Sequence, residues 1–197
     1  MTVDQDPMRY GDQVVETPDA AKSRTEADSE LWRRFGALEA LQRVTSEINS
    51  TLDLDTILRV VLDEAVRFTA ADAGLVVLFP QQGAELRAWQ GYDDEALVAI
   101  TAALDEPEDQ FPFLQQLSRQ ETVYIPYAAS TPAAARLPSV VSLLVVPVFY
   151  EQLLAAAILI QSTTADQFST ATIEFCKALA GQAAIAVGNA RRYREQM

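Results

Sequence analysis

The 197-residue sequence contains no histidine and a single cysteine. Without histidine there is no Ser–His or Cys–His pair to activate a nucleophile, and no imidazole to ligate haem iron. Cys176 alone can close no intrachain disulfide and build no cysteine zinc cluster, so nothing in the cysteine usage implies an oxidising compartment. The seven glycines form no phosphate-cradling loop of the Walker or dinucleotide type. Positive charge is also scarce. Fifteen Lys and Arg stand against 28 Asp and Glu, for a net charge of -13, which argues against nucleic acid or an anionic membrane surface as a partner. The four carboxylates between Asp105 and Asp109 lack the alternating spacing of a calcium loop and read as a solvated acidic loop. No metal and no cofactor is expected.

Long apolar runs are missing too. Val140 to Tyr150 is interrupted by Ser142 and Pro147 and falls short of the roughly 20 residues that a membrane helix needs, so no membrane partner is expected and a cytoplasmic setting fits best. Residues 1–29 are rich in Asp and Glu with scattered Pro and Thr; they read as an acidic, disordered tail rather than a signal peptide. Residues 30–197 carry enough apolar residues for one domain.

Within that domain, Leu38, Leu41, Thr45, Ile48 and Leu52 recur at alternating spacings of three and four, which predicts a helix from about Glu30 to Thr51 with a heptad-like seam. Asp53 and Asp55 are N-cap residue types ahead of a second, amphipathic helix carrying Ile57, Leu58, Val61, Leu62, Ala65 and Phe68. Ala73–Phe79 and Glu85–Trp89, separated by Pro80-Gln81-Gln82-Gly83, read as a hairpin. A helix over Asp94–Leu104, a short helix near Pro112–Arg119 and a strand over Thr122–Pro126 follow. Tyr127–Ser139, with two prolines, reads as a long loop over one face of the sheet. Val140–Val148 and Leu153–Ile160 are the most strand-like runs and predict a central hairpin. Ser169 caps a last helix to about Glu195, whose small residues Cys176, Ala180, Ala183 and Ala184 permit close helix approach. Helices, a hairpin, a mixed middle, a second hairpin and a helix make an α+β domain with an antiparallel sheet.

This order and several local phrases resemble the GAF domain family over about Phe35 to Glu195. The phrases are Leu52-Asp53-Leu54-Asp55, Ala71-Asp72-Ala73, Ser142-Leu143-Leu144-Val145-Val146-Pro147-Val148, Phe168-Ser169 and Ala186-Val187-Gly188-Asn189-Ala190-Arg191. The resemblance implies a six-stranded antiparallel sheet of profilin-like type, long N- and C-terminal helices packed together on one face, a pocket between the sheet and the irregular middle segment, homodimers formed through the terminal helices, and a role in signalling.

The ligand motifs of the family are largely missing. Where cyclic-nucleotide-binding members carry an Asn-Lys pair, a Phe and an Asp-Glu, this chain has Ser162-Thr163, Phe168 and Thr172-Ile173. Cys176 lies among apolar and small residues of the last helix, where it reads as a packing thiol rather than a chromophore attachment point. The family's methionine sulfoxide reductases use several cysteines, and one cannot form the resolving disulfide. Where the family has glycine in the second hairpin, this chain has Glu151-Gln152 and Ala155-Ala156, which crowds a backbone-hugging ligand.

The expected pocket residues are Trp89, Tyr92, Phe111, Phe113, Tyr124, Tyr127 and Ser142, and the expected dimer residues are Leu38, Leu41, Ile48, Leu52, Ala183, Val187 and Ala190. Two readings follow: a non-catalytic sensory domain that couples a small ligand to its dimer helices and a signalling partner, or a degenerate scaffold with a filled pocket that acts only in homodimerisation or protein docking.

Overall fold

A computed structural model describes residues 18–51, 53–80, 83–104, 113–126 and 140–195. Its elements in chain order are α1 (Pro18–Ser50), α2 (Leu54–Thr69), β1 (Ala73–Leu78), β2 (Glu85–Gln90), α3 (Asp94–Leu104), α4 (Leu114–Ser118), β3 (Val123–Ile125), β4 (Ser142–Tyr150), β5 (Leu153–Ser162) and α5 (Thr170–Glu195). The chain divides into two compact units, residues 1–35 and 36–197. In the first, α1 begins at Pro18, ahead of the expected start at Glu30, and Arg34 pairs with Glu30 one turn earlier at 2.5 Å. Leu31 and Phe35 are exposed there.

The second unit holds the sheet. Its strand order is β2-β1-β5-β4-β3 and every neighbouring pair is antiparallel. Five strands are present among the described residues, which corrects the six implied by resemblance. The described stretch between β2 and β3 is helical rather than extended. Asp93 accepts a hydrogen bond at 2.8 Å from the backbone N–H of Ala96, and the Ala-rich run behind it has helix-forming composition and no alternation.

Strand alternation sorts the core into two layers. On one face Val76, Leu78, Val146, Val148, Ile158 and Ile160 pack with Leu58, Leu62, Phe175 and Leu179 of α2 and α5. On the other, Leu75, Val77, Leu143, Val145, Ala157 and Leu159 pack with Ile100 and Leu104 of α3 and Leu117 of α4. The interior strands β1, β5 and β4 contribute to both layers, and all six residues of β1 are buried.

Local chemistry sets the element ends. Asp53 caps α2 by accepting from the Thr56 N–H and hydroxyl, and Ala70 ends the helix in the left-handed region at φ 51°. The β4–β5 turn places Glu151 at φ 51° and Gln152 at φ 66°, the geometry of a tight hairpin turn that glycine or asparagine would adopt with less strain. Gly91 follows β2 at φ 78°, where an added Cβ would lie 2.3 Å from the Asp72 carbonyl oxygen.

Candidate functional site

Helix α2 lies between two partners. On one side it faces α5; on the other, Arg43 of α1 reaches its Glu64, with Arg43 Nε 2.7 Å from Oε1 and Nη2 3.1 Å from Oε2. Arg67, one turn along α2, holds the same carboxylate. Burial would push the Glu64 carboxyl up, but these guanidinium contacts outweigh it and hold the group below the usual carboxylate range. Among the described residues Glu64 is the one buried charged side chain. Thr45 of α1 also donates to Gln182 of α5 at 3.1 Å. The residues of α1 from Gly36 onward are thus tied to both neighbours, while Ala40, Val44 and Ile48 fill the layer between.

The expected dimer residues split. Ile48, Ala183 and Val187 are buried in the chain's own core, and Leu41 and Ala190 are half-buried against it. Leu38 is 60% exposed. The heptad spacing is real, but a helix with apolar residues on more than one side can turn its seam inward, and here α2 and α5 occupy it. Leu52 lies outside the described residues.

The expected pocket residues also separate. Tyr92 stands on the α3 side of the sheet; its hydroxyl donates to Gln161 Oε1 at 3.1 Å, and burial pushes its phenol up. Phe113 packs on the same layer. Tyr124 packs on the opposite layer, edge-on to Phe168 at 5.9 Å, with its hydroxyl donating to Asp166 at 2.7 Å. Ser142 is fully buried and donates to the Thr164 carbonyl at 2.7 Å, so it anchors the turn after β5 rather than facing a ligand. Trp89 sits on edge strand β2 and is 48% exposed. Phe111 and Tyr127 lie outside the described residues, as do the acidic loop at Asp105–Asp109 and the segment 127–139.

Sequence reasoning missed the Asp72 turn. Asp72 accepts from the Thr163 N–H at 2.7 Å, the Thr163 hydroxyl at 3.0 Å and the Ser162 hydroxyl at 3.0 Å, which together hold its carboxyl below the ordinary range. The phrase Ala71-Asp72-Ala73 and the Ser162-Thr163 pair are the two halves of this clasp, distant in sequence and joined only by β1–β5 pairing. Cys176 is buried, and its surroundings push the thiol up to about 12. Among the described residues no group of three or more His, Cys, Asp or Glu is placed to hold a metal ion. No helix there is long and apolar enough to cross a membrane.

Two helical layers around an antiparallel sheet define an α+β domain. The family model of the GAF domain matches residues 51–188, and the chain belongs to that family. Solved structures agree on the fold. The GAF domain of a phosphoenolpyruvate-protein phosphotransferase from Acinetobacter is 23% identical, with 79% of this chain and 94% of that one covered at a TM-score of 0.65. That from Coxiella burnetii is 20% identical, with 82% and 98% covered at 0.68. The GAF domain of a putative sensor histidine kinase from Pseudomonas syringae pv. tomato is 18% identical, with 87% and 99% covered at 0.64. Curated protein sequences offer no match to the chain.

Proposed function

We propose that this chain is a non-catalytic, cytoplasmic regulatory GAF domain that works in signal transduction as a homodimer, passing a change on the α3 face of the sheet to its terminal helices. The supporting observation is that the interior strands β1 and β5 face both helical layers. Leu75, Val77 and Leu159 contact the α3–α4 layer, while their immediate neighbours Val76, Leu78 and Ile160 contact α2 and α5. Displacing α3 to admit a small ligand beside the half-buried Tyr92–Gln161 hydrogen bond therefore loads the same strands on which α2 and α5 rest. The family's association with sensing, and the similarity to the GAF domain of the sensor histidine kinase above, support the direction of this reading. A catalytic role finds no support in a chain without histidine whose one thiol is buried and hard to ionise.

A second reading is favoured by one specific observation: Ile100, Leu104 and Leu117 are buried among sheet residues on the α3 face, as in a filled core. The domain would then be a scaffold for homodimerisation or for docking a signalling protein. Native mass spectrometry separates the two, because it reports subunit number and retained small molecules together. A dimer carrying a noncovalent small molecule supports the sensory reading, a bare dimer supports the scaffold, and a monomer at high micromolar concentration overturns both.

A further inference from the structure

The cations that hold the buried Glu64 come from the rim: its side chain is 8% exposed, against 46% for Arg43 and 62% for Arg67. Arg43 of α1 engages both carboxylate oxygens, and Arg67 of α2 adds a contact to Oε2. The two cations differ in what they require. Arg67 stays beside Glu64 wherever α1 goes, because the pair lies three residues apart on one face of α2. Arg43 reaches the carboxylate only when α1 is seated. Asp63, the neighbouring carboxylate, is exposed and drawn to Arg59.

Two polar ties and one buried row define that seating. Val44 is fully buried, and at about 100° per residue Arg43 and Thr45 flank it on opposite sides. Arg43 ties one flank to α2 and Thr45 ties the other to Gln182 of α5 at 3.1 Å, which fixes the rotation of the helix about its axis. Packing constrains position along the axis less. The buried row Ala40, Val44 and Ile48 repeats every four residues, and Gly36 and Leu52 continue it in the sequence, so apolar spacing, if not volume, recurs at each turn. Charge does not recur. Glu39 and Glu47 stand one turn before and one turn after Arg43, so a displacement of about 5.4 Å either way would bring a second carboxylate to Glu64 in place of the guanidinium. Two carboxylates in one buried site are disfavoured far more than one paired with arginine.

We propose that Glu64 is a keyed latch for α1: it admits the helix in the single seating that brings Arg43 to the carboxylate, while Arg67 keeps that charge paired when α1 lifts away. The released state then leaves no bare buried charge, and α1 from Gly36 onward parts from α2 and α5 as a unit while the sheet stays folded. The latch is a conformational device of the helical layer and does not depend on a ligand on the α3 face.

The test is native-state hydrogen exchange on the full chain, comparing the amides of Ala40, Val44 and Ile48 with those of Leu58 in α2 and Ile158 in β5. Arg43→Ala should speed exchange of the α1 amides about tenfold or more and leave Leu58 and Ile158 unchanged, whereas Arg67→Ala should speed it less than about threefold. Permutation tests the key. Glu39→Arg combined with Arg43→Glu preserves composition and net charge yet presents a carboxylate to Glu64, and should speed α1 exchange about thirtyfold or more. In a Glu64→Gln background the same permutation should change it less than about threefold, the scale of intrahelical pair orientation. The proposal is overturned if the permutation has the same effect in both backgrounds or none in the first, or if Arg67→Ala releases α1 more than Arg43→Ala does. It is also overturned if Arg43→Ala speeds Leu58 and Ile158 as much as α1, which marks a global loss of stability rather than a latch. Where the permuted chain fails to fold, the ordering of Arg43→Ala and Arg67→Ala decides, because both side chains lie at the surface.

Discussion

Replacing Ile48 by Ala should destabilise the isolated subunit, whereas replacing Leu38 by Ala should not, although both lie on one heptad-like seam. Ile48 is 8% exposed among Ala40, Val44 and the α2 and α5 side chains, while Leu38 is largely solvent-exposed. Shortening Ile to Ala removes three carbon groups worth about 0.8 kcal/mol each and leaves a cavity term, for a loss of about 2–4 kcal/mol. With a urea m-value of about 2 kcal/mol per molar, the midpoint should fall by about 1–2 M. Leu38→Ala should stay within about 0.5 kcal/mol. Circular dichroism during urea unfolding, repeated over a hundredfold range of protein concentration, is the assay. Because association makes stability concentration-dependent, a loss belonging to the subunit core persists on dilution. A shift of under about 0.3 M for Ile48→Ala, or one that disappears on dilution, would refute the placement of this residue in the core. Leu38→Glu gives the companion result: sedimentation should show weaker self-association with an unchanged unfolding midpoint at low concentration.

Three further outcomes are expected. Gly91→Ala should cost at least about 2 kcal/mol in unfolding experiments, since the new methyl meets the Asp72 carbonyl and the backbone must stay left-handed; a cost near zero would mean that the turn is not as described. Changing Glu151-Gln152 to Asn-Gly should raise stability by about 1 kcal/mol and lift the melting temperature, because these residues suit two consecutive positive φ angles; a lower melting temperature would count against that turn geometry. A thiol pushed up to about 12 has little thiolate at pH 8, so alkylation of Cys176 in the folded chain should run about a thousandfold slower than for a free cysteine and speed up with rising pH or on adding denaturant; fast labelling of the native protein would reopen a role for that residue in chemistry.

Elements whose pattern is local were legible in the chain. Asp53 and Ser169 mark helix starts by capping chemistry, and the Val- and Leu-rich runs around Glu151-Gln152 announce a hairpin because strand propensity and turn length act over a few residues. The resemblance carried by Ala71-Asp72-Ala73 and the last-helix phrase led to the right family. The aromatic candidates fared differently: the pocket reading groups them, but Tyr92 and Tyr124 lie on opposite layers of the sheet, and the face a residue takes depends on strand pairing between distant segments.

The absence of histidine, the acidic balance, the element order and the caps are properties of the linear chain, since each depends on composition or on neighbours within a few residues. Tertiary packing decided that Ile48 turns inward against α2 and α5 while Leu38 stays in solvent, that Asp72 meets Ser162 and Thr163, and that Arg87 bulges toward Asp55 at an open margin. In each case the deciding partner lies tens of residues away. An amphipathic stripe or a lone carboxylate states what it needs to bury or to bond, and only the folded arrangement determines which surface answers.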